Sequence, residues 1–178
     1  QKELNKRGYG FTFFEENIRN AGLYVANIIK DKLENIRQIK LDGHVTSFHF
    51  NKDGKQISAG VCPKNLVDHK YMFTKVFLID VASGSSKKIS KNEGKLGNYE
   101  ISPHGNHLLY TAALDISDAA VSQVFVVNLL EGTIKNLTPA DFKGHVTWAA
   151  FKNNNEIYYL SGEGVYTNLS EVSVNGGE

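Results

Sequence analysis

A repeat of about fifty residues constrains this chain more than any other feature, because self-similarity at that period selects a narrow set of architectures. Three segments share one pattern: apolar alternation, a polar turn, then a second apolar run. The first runs from Val45 to Ala59, with the turn Asn51-Lys52-Asp53-Gly54-Lys55. The second runs from Tyr99 to Tyr110, around Ser102-Pro103-His104-Gly105-Asn106. The third runs from Val146 to Leu160, around Lys152-Asn153-Asn154-Asn155-Glu156. These turns begin at residues 51, 102 and 152, in steps of 51 and 50. A second motif interleaves with the first. Residues 76–81 run into Ala82-Ser83-Gly84 and then Lys87-Lys88-Ile89-Ser90, and residues 124–129 run into Glu131-Gly132 and residues 134–138. A later copy starts near Val165-Tyr166 and reaches Asn175-Gly176.

Each half-repeat reads as two short strands, rich in Val, Ile, Phe and Tyr at period two, with Asp-Gly or Asn-Gly marking bends. A full repeat then holds four antiparallel strands, the content of one β-propeller blade. The expected fold class is therefore all-β, a partial propeller of about three to four blades, with repeats at approximately 1–43, 44–95, 96–143 and 144–178. Residues 31–41 are the one helical candidate. A strand is preferred there, because residues 23–28 before it match the third strand of later repeats. Lys2-Glu3-Leu4-Asn5 resembles the fourth-strand segments at 87–90 and 135–138, and is expected to be the last strand of an upstream blade. With both ends falling inside a repeat, the chain is expected to be a slice of a larger protein.

Composition excludes several classes. Twenty basic against 19 acidic residues give a formal charge of +1, so there is no global draw toward nucleic acid or an anionic membrane. No apolar run approaches the ~20 residues of a membrane helix. The single cysteine, Cys62, excludes an internal disulfide framework.

The turn segments resemble the Ser-Pro-Asp-Gly-Lys signature of TolB-like propellers and of the prolyl-oligopeptidase family of serine peptidases. Ser102-Pro103-His104-Gly105-Asn106 and Asn51-Lys52-Asp53-Gly54-Lys55 are partial matches, and residues 152–156 a degenerate one. The stretch from Pro63 to Phe73, followed by residues 76–84 and preceded by His44-Val45-Thr46-Ser47-Phe48, resembles bacterial members of the dipeptidyl- and acylaminoacyl-peptidase branch. That resemblance implies a propeller packed on an α/β-hydrolase domain with a Ser, Asp and His triad. No Gly-x-Ser-x-Gly elbow occurs in this sequence, so the chain is expected to be inactive alone and to gate peptide access to a distant triad. The alternative is a TolB-like propeller acting as a protein-interaction scaffold. The implied partners are the hydrolase domain or further blades, the parent's peptide substrate, and a second copy through open blade edges; no cofactor is implied. The implied compartment is the bacterial periplasm or the exterior.

Glu15 and Glu16 follow the segment Gly10-Phe11-Thr12-Phe13-Phe14. The resemblance offers this acidic pair as the substrate-binding residues, since propeller glutamates in that family hold the substrate's α-ammonium group. Adjacent residues on a strand point to opposite faces, so a solvated turn is the competing reading. His44 and His145 occupy equivalent places in two repeats, Gly-His-Val-Thr each time. Equivalent positions lie on different blades, so they are expected to bond blade-to-blade turns rather than share a metal ion. Asp68, His69, Asp115 and Asp118 fall in the two longest connections, where binding residues concentrate, but show no ligand spacing. Asn136-Leu137-Thr138 and Asn168-Leu169-Ser170 fit the glycosylation pattern. Trp148, aligned with Phe48, is expected to pack between blades.

Overall fold

The computed structural model describes residues 2–10, 15 and 17–176. Among these, thirteen strands form four antiparallel sheets, each a contiguous stretch of chain. Blade 1 holds β1 (Leu23–Ile29) and β2 (Lys32–Ile39). Blade 2 is β3 (His44–Phe50), β4 (Gln56–Cys62), β5 (Lys75–Asp80) and β6 (Ser86–Lys88), paired in chain order. Blade 3 repeats this with β7 (Leu96–Ile101), β8 (His107–Ala113), β9 (Ser122–Asn128) and β10 (Ile134–Asn136). Blade 4 holds β11 (His145–Phe151), β12 (Glu156–Glu163) and β13 (Tyr166–Ser173). By position, β1 and β2 are third and fourth strands of their blade, and β11 to β13 are first to third. The fold is a partial β-propeller, and the strand preferred over a helix near residues 31–41 is β2.

Period-two alternation puts successive side chains on opposite faces of a sheet, so a blade between two neighbours buries both sets. Three apolar clusters fill the three seams. Leu23 and Ile39 of blade 1 meet Ile57, Ala59, Val61 and Ile79 of blade 2. Val76 of blade 2 meets Leu108, Tyr110, Ala112 and Val127 of blade 3. Leu109, Val124 and Val126, from the other face of blade 3, meet Val146, Ala149, Ile157 and Tyr159 of blade 4. Blade 3 is thus apolar on both sides, which is why β8 reads Leu-Leu-Tyr-Thr-Ala-Ala rather than alternating with charges.

Hydroxyls at repeat-equivalent positions finish the fourth strands. Ser90 Oγ accepts from Val76 N–H at 2.9 Å, and Thr138 Oγ1 accepts from Val124 N–H at 2.8 Å. Each supplies an acceptor that the short fourth strand no longer provides to a buried donor. The turns between first and second strands close at Asn51 N to Gln56 O, Ser102 N to His107 O and Lys152 N to Glu156 O. The last is one residue shorter. Gly54 and Gly105 sit in the first two at φ of 68° and 77°, a region glycine enters without a Cβ penalty.

Three expectations need correcting. Residues Lys2–Lys6 form a helix, α1, instead of a fourth strand; they are good helix formers, and Arg7 pairs with Glu3 one turn away at 3.9 Å. The long connection after β4 contains a second helix, α2 (Val67–Met72), that periodicity did not reveal. Trp148 meets no neighbouring blade among the described residues: it is 41% exposed, and Phe48 is 52% exposed.

Candidate functional site: the end of long connections

Antiparallel order sends alternate connections to opposite ends of the array. Links from first to second and from third to fourth strands leave at one end, and all are tight turns. Links from second to third strands and between blades leave at the other end. There lie residues 63–74 with α2, residues 89–95, 114–121 and 137–144. Binding residues gather on such connections when a rigid scaffold holds them.

One repeat position holds this end together. His44, Lys95 and His145 each stand seven residues before their blade's turn, at 51, 102 and 152. His44 Nδ1 accepts from Ala21 N–H at 2.8 Å, and His145 Nδ1 accepts from Ser122 N–H at 3.1 Å. In both, the first residue of one blade bonds the backbone that enters the preceding blade's third strand, as expected for the two histidines. Burial holds the His44 imidazole below its ordinary pKa, with Lys70 adding to the effect, which favours the neutral ring that accepts. At the seam between blades 2 and 3 the position is Lys95. Its ammonium lies 4.9 Å from the centre of the Tyr71 ring on α2 and 3.0 Å from Asp118 Oδ1. It therefore ties together the two longest connections, and the bond to Asp118 raises its pKa. Sequence reasoning missed Lys95, although the spacing of seven was there to count; only the change of residue type hid it.

Asn92 is the second tie. Its Nδ2 donates to the carbonyls of Thr74 at 3.2 Å and Gly94 at 2.8 Å, and its Oδ1 accepts from Ser90 Oγ at 2.7 Å. Lys75 Nζ donates to the Asn92 carbonyl. Gly94 passes so close to blade 3's own connection that a Cβ there would collide with the Asp115 carbonyl oxygen. Between this segment and blade 3 opens a cleft of about 500 Å³. Tyr110 and Phe125, stacked 5.3 Å apart at 12°, line it together with Leu114, Lys91 and Glu93. Burial pushes the Tyr110 phenol up to about 12, so it stays protonated.

The other candidates disperse. Glu15 is exposed in a turn at φ 58°, while Glu16 lies outside the described residues. Asp115 Oδ1 accepts from Ser117 N–H within its own loop, and His69 packs edge-on against Phe73. Among the described residues no three His, Cys, Asp or Glu side chains gather as metal ligands. Cys62 is buried, donates to the Lys64 carbonyl at 3.1 Å, and has its thiol pushed up by burial, the opposite of an activated nucleophile. Of the two glycosylation patterns, Asn136 bonds Gln123 at 2.5 Å and Thr138 is buried, whereas Asn168 is exposed. The cleft has an aromatic floor and mixed charge at its rim, and it runs along blade 3 to Gly132 and Thr133 in the turn before β10.

No protein-family model matches the chain, and no curated protein matches it in sequence. Its fold is similar to solved propellers of very different sequence. TolB from Acinetobacter baumannii superposes over 87% of this chain and 38% of its own, at 16% identity and a TM-score of 0.53. A putative TolB from Agrobacterium tumefaciens superposes over 87% of this chain and 58% of its own, at 12% identity and 0.57. The β-propeller domain of the Trilobed protease from Pyrococcus furiosus, described as having an open velcro topology, superposes over 89% and 50%, at 13% identity and 0.58. The chain spans less than two thirds of the length of each. At these identities the likeness is one of fold.

Proposed function

We propose that this chain is the non-catalytic propeller portion of a serine peptidase of the prolyl-oligopeptidase type. In this reading it packs on an α/β-hydrolase domain and restricts which peptides reach the triad. The observation that carries it is the asymmetry of the two ends: every long connection leaves one end, and His44, Lys95 and His145 brace them across the seams. A braced, irregular surface opposite a rim of tight turns suits the docking of a second domain. The likeness to a protease propeller supports the reading, and the partial signatures at residues 51–55 and 102–106 agree with it. A TolB-like interaction scaffold is the second reading, favoured by two TolB structures that superpose over 87% of the chain.

The reading frame beyond Glu178 separates the two. A domain with a Gly-x-Ser-x-Gly elbow, expressed separately, should bind this chain in calorimetry, and Lys95→Glu should weaken that binding. Continuation into further blades and a stop would overturn the peptidase reading in favour of the scaffold.

A further inference from the structure

Two seams of the array are fastened in different ways. Between blades 3 and 4, hydrogen bonds cross from one end to the other. Ser122 N–H reaches His145 at the long-connection end. In the middle, Asn98 Nδ2 donates to the Ala149 carbonyl at 2.5 Å while its Oδ1 accepts from Ala149 N–H at 3.2 Å, and Glu100 accepts from Phe151 N–H. At the tight-turn end, His104 N–H donates to Asn154 Oδ1 at 2.8 Å, and Lys135 Nζ to the Asn175 carbonyl at 3.3 Å. Between blades 2 and 3 the pattern collapses to a point. Among the described residues, every hydrogen bond from the strands and tight turns of one blade to those of the other ends on a single atom. The Tyr99 hydroxyl accepts from Gly60 N–H at 2.8 Å and lies 2.7 Å from Ser47 Oγ. We propose that blades 2 and 3 form a hinge, with residues 89–95 as its pivot and the Tyr99 hydroxyl as its latch. The array then opens from the tight-turn end at this seam before the seam between blades 3 and 4 gives way.

Packing follows the same division. The seam between blades 3 and 4 draws buried side chains from both, Leu109, Val124 and Val126 against Val146, Ala149 and Ile157. In the cluster between blades 2 and 3, Val76 is the one buried side chain that blade 2 supplies; the others belong to blade 3. Ile57, Ala59 and Val61 of β4 pack toward blade 1, so alternation turns Ser58, Gly60 and Cys62 toward blade 3. Ser58 pairs with His49 as Leu109 pairs with Glu100, so a serine holds the place of a core leucine. Its hydroxyl is buried and has no hydrogen-bond partner. Next to it, between His49, Lys52 and Tyr99, lies a hollow of about 260 Å³ at the tight-turn end. Side chains lining such a gap lose the dispersion contacts that a filled seam would give them.

The remaining ties sit at the opposite end. Asn92 bonds the Thr74 carbonyl, and Lys95 spans Tyr71 and Asp118, all beside the link from blade 2 to blade 3. They hold the pivot and leave the far end to the latch. Burial raises the pKa of the Tyr99 phenol, so the latch keeps its proton. Blades 2 and 3 each have four paired strands, so both walls of this seam are complete. Local opening of a weakly packed boundary, with rigid halves on either side, is how hinged motion arises in packed elements.

Paired thiols test the hinge on the full chain. Ser58→Cys and Leu109→Cys place a thiol at equivalent positions in the two seams, each made together with Cys62→Ala to remove the native thiol. With dithiobis(nitrobenzoic acid) under native conditions, the thiol of Ser58→Cys should react at least about tenfold faster than that of Leu109→Cys. Tyr99→Phe keeps the ring and removes the latch. It should speed the first reaction about a further tenfold and leave the second unchanged. Equal rates would overturn the proposal, and so would a Tyr99→Phe effect shared by both thiols, which marks unfolding of the whole chain. Hydrogen exchange on the unsubstituted chain gives a second reading that needs no cysteine. Gly60 N–H should exchange faster than Ala149 N–H, and equal or slower exchange at Gly60 would overturn the hinge.

Discussion

Blade 3 and blade 4 are written in the same strand pattern, yet one is buried on both faces and the other on one. On β8, residues 108–113 are all buried; on β12 only every second residue is. The difference lies in the neighbour and not in local propensity, since both strands are rich in β-forming residues. A blade's stability is therefore largely a property of its seams, as expected where each repeat contacts only the next.

The largest test of that contrast is a paired truncation. Leu109→Ala, in the seam, should cost about 2–5 kcal/mol in urea unfolding, because a fully buried leucine leaves a cavity. Leu160→Ala, on the open face, should cost under about 1 kcal/mol under conditions where the chain is monomeric. Equal losses would mean that the open face is covered. Next in size is Thr138→Val, which keeps the shape but strands the buried Val124 N–H; it should cost about 1–3 kcal/mol, and Thr138→Ser should recover most of it.

A subtler distinction comes from two carboxylates of opposite behaviour. Glu100, in the seam, has its pKa raised by burial above the ordinary 4.5. The folded state then binds its proton more tightly, so its contribution falls as pH rises from about 4.5 through the raised value. Glu156, on the open face, has its pKa lowered by its bond to Asn153 and by Lys152. Its contribution is present above 4.5 and is lost as pH falls through the lowered value. Thermal melts of Glu100→Gln and Glu156→Gln across pH 3 to 7 should flatten the stability curve on opposite sides of about 4.5. A shared direction of change would refute the assignment. The smallest expected effect is that of Lys95→Met: its ion-pair partner Asp118 is 86% exposed, so the loss should barely move the melting midpoint. Limited proteolysis within residues 63–74 and 114–121 should nevertheless speed up, since the brace between them is gone.

Much of this was legible in the residues. The turns at 51, 102 and 152 and the glycines at 84 and 132 carry the blade pattern, because turn chemistry and period-two alternation are local signals. The histidine brace was legible for the same reason, being tied to a fixed distance from a turn. What escaped depends on neighbours in space. Trp148 looks like a core residue in any window of sequence, but it lies on the face of blade 4 opposite the one that packs on blade 3, exposed among the described residues. Lys95 performs a histidine's task with different chemistry, so residue identity concealed it. Residues 2–5 share letters with two fourth strands, but Lys, Glu and Leu are also good helix formers, and among the described residues they form α1.

Asn98 has a further consequence. Its primary amide meets Ala149 through donor and acceptor together, as a peptide unit of an adjoining strand would. With Glu100 on Phe151, the edge of β11 is sealed for two residues by side chains alone. The amide hydrogens of Ala149 and Phe151 should then exchange with solvent slowly for an edge strand, and only when the seam between blades 3 and 4 opens. They act as built-in reporters of that opening, and Asn98→Ala should silence the first while leaving the second.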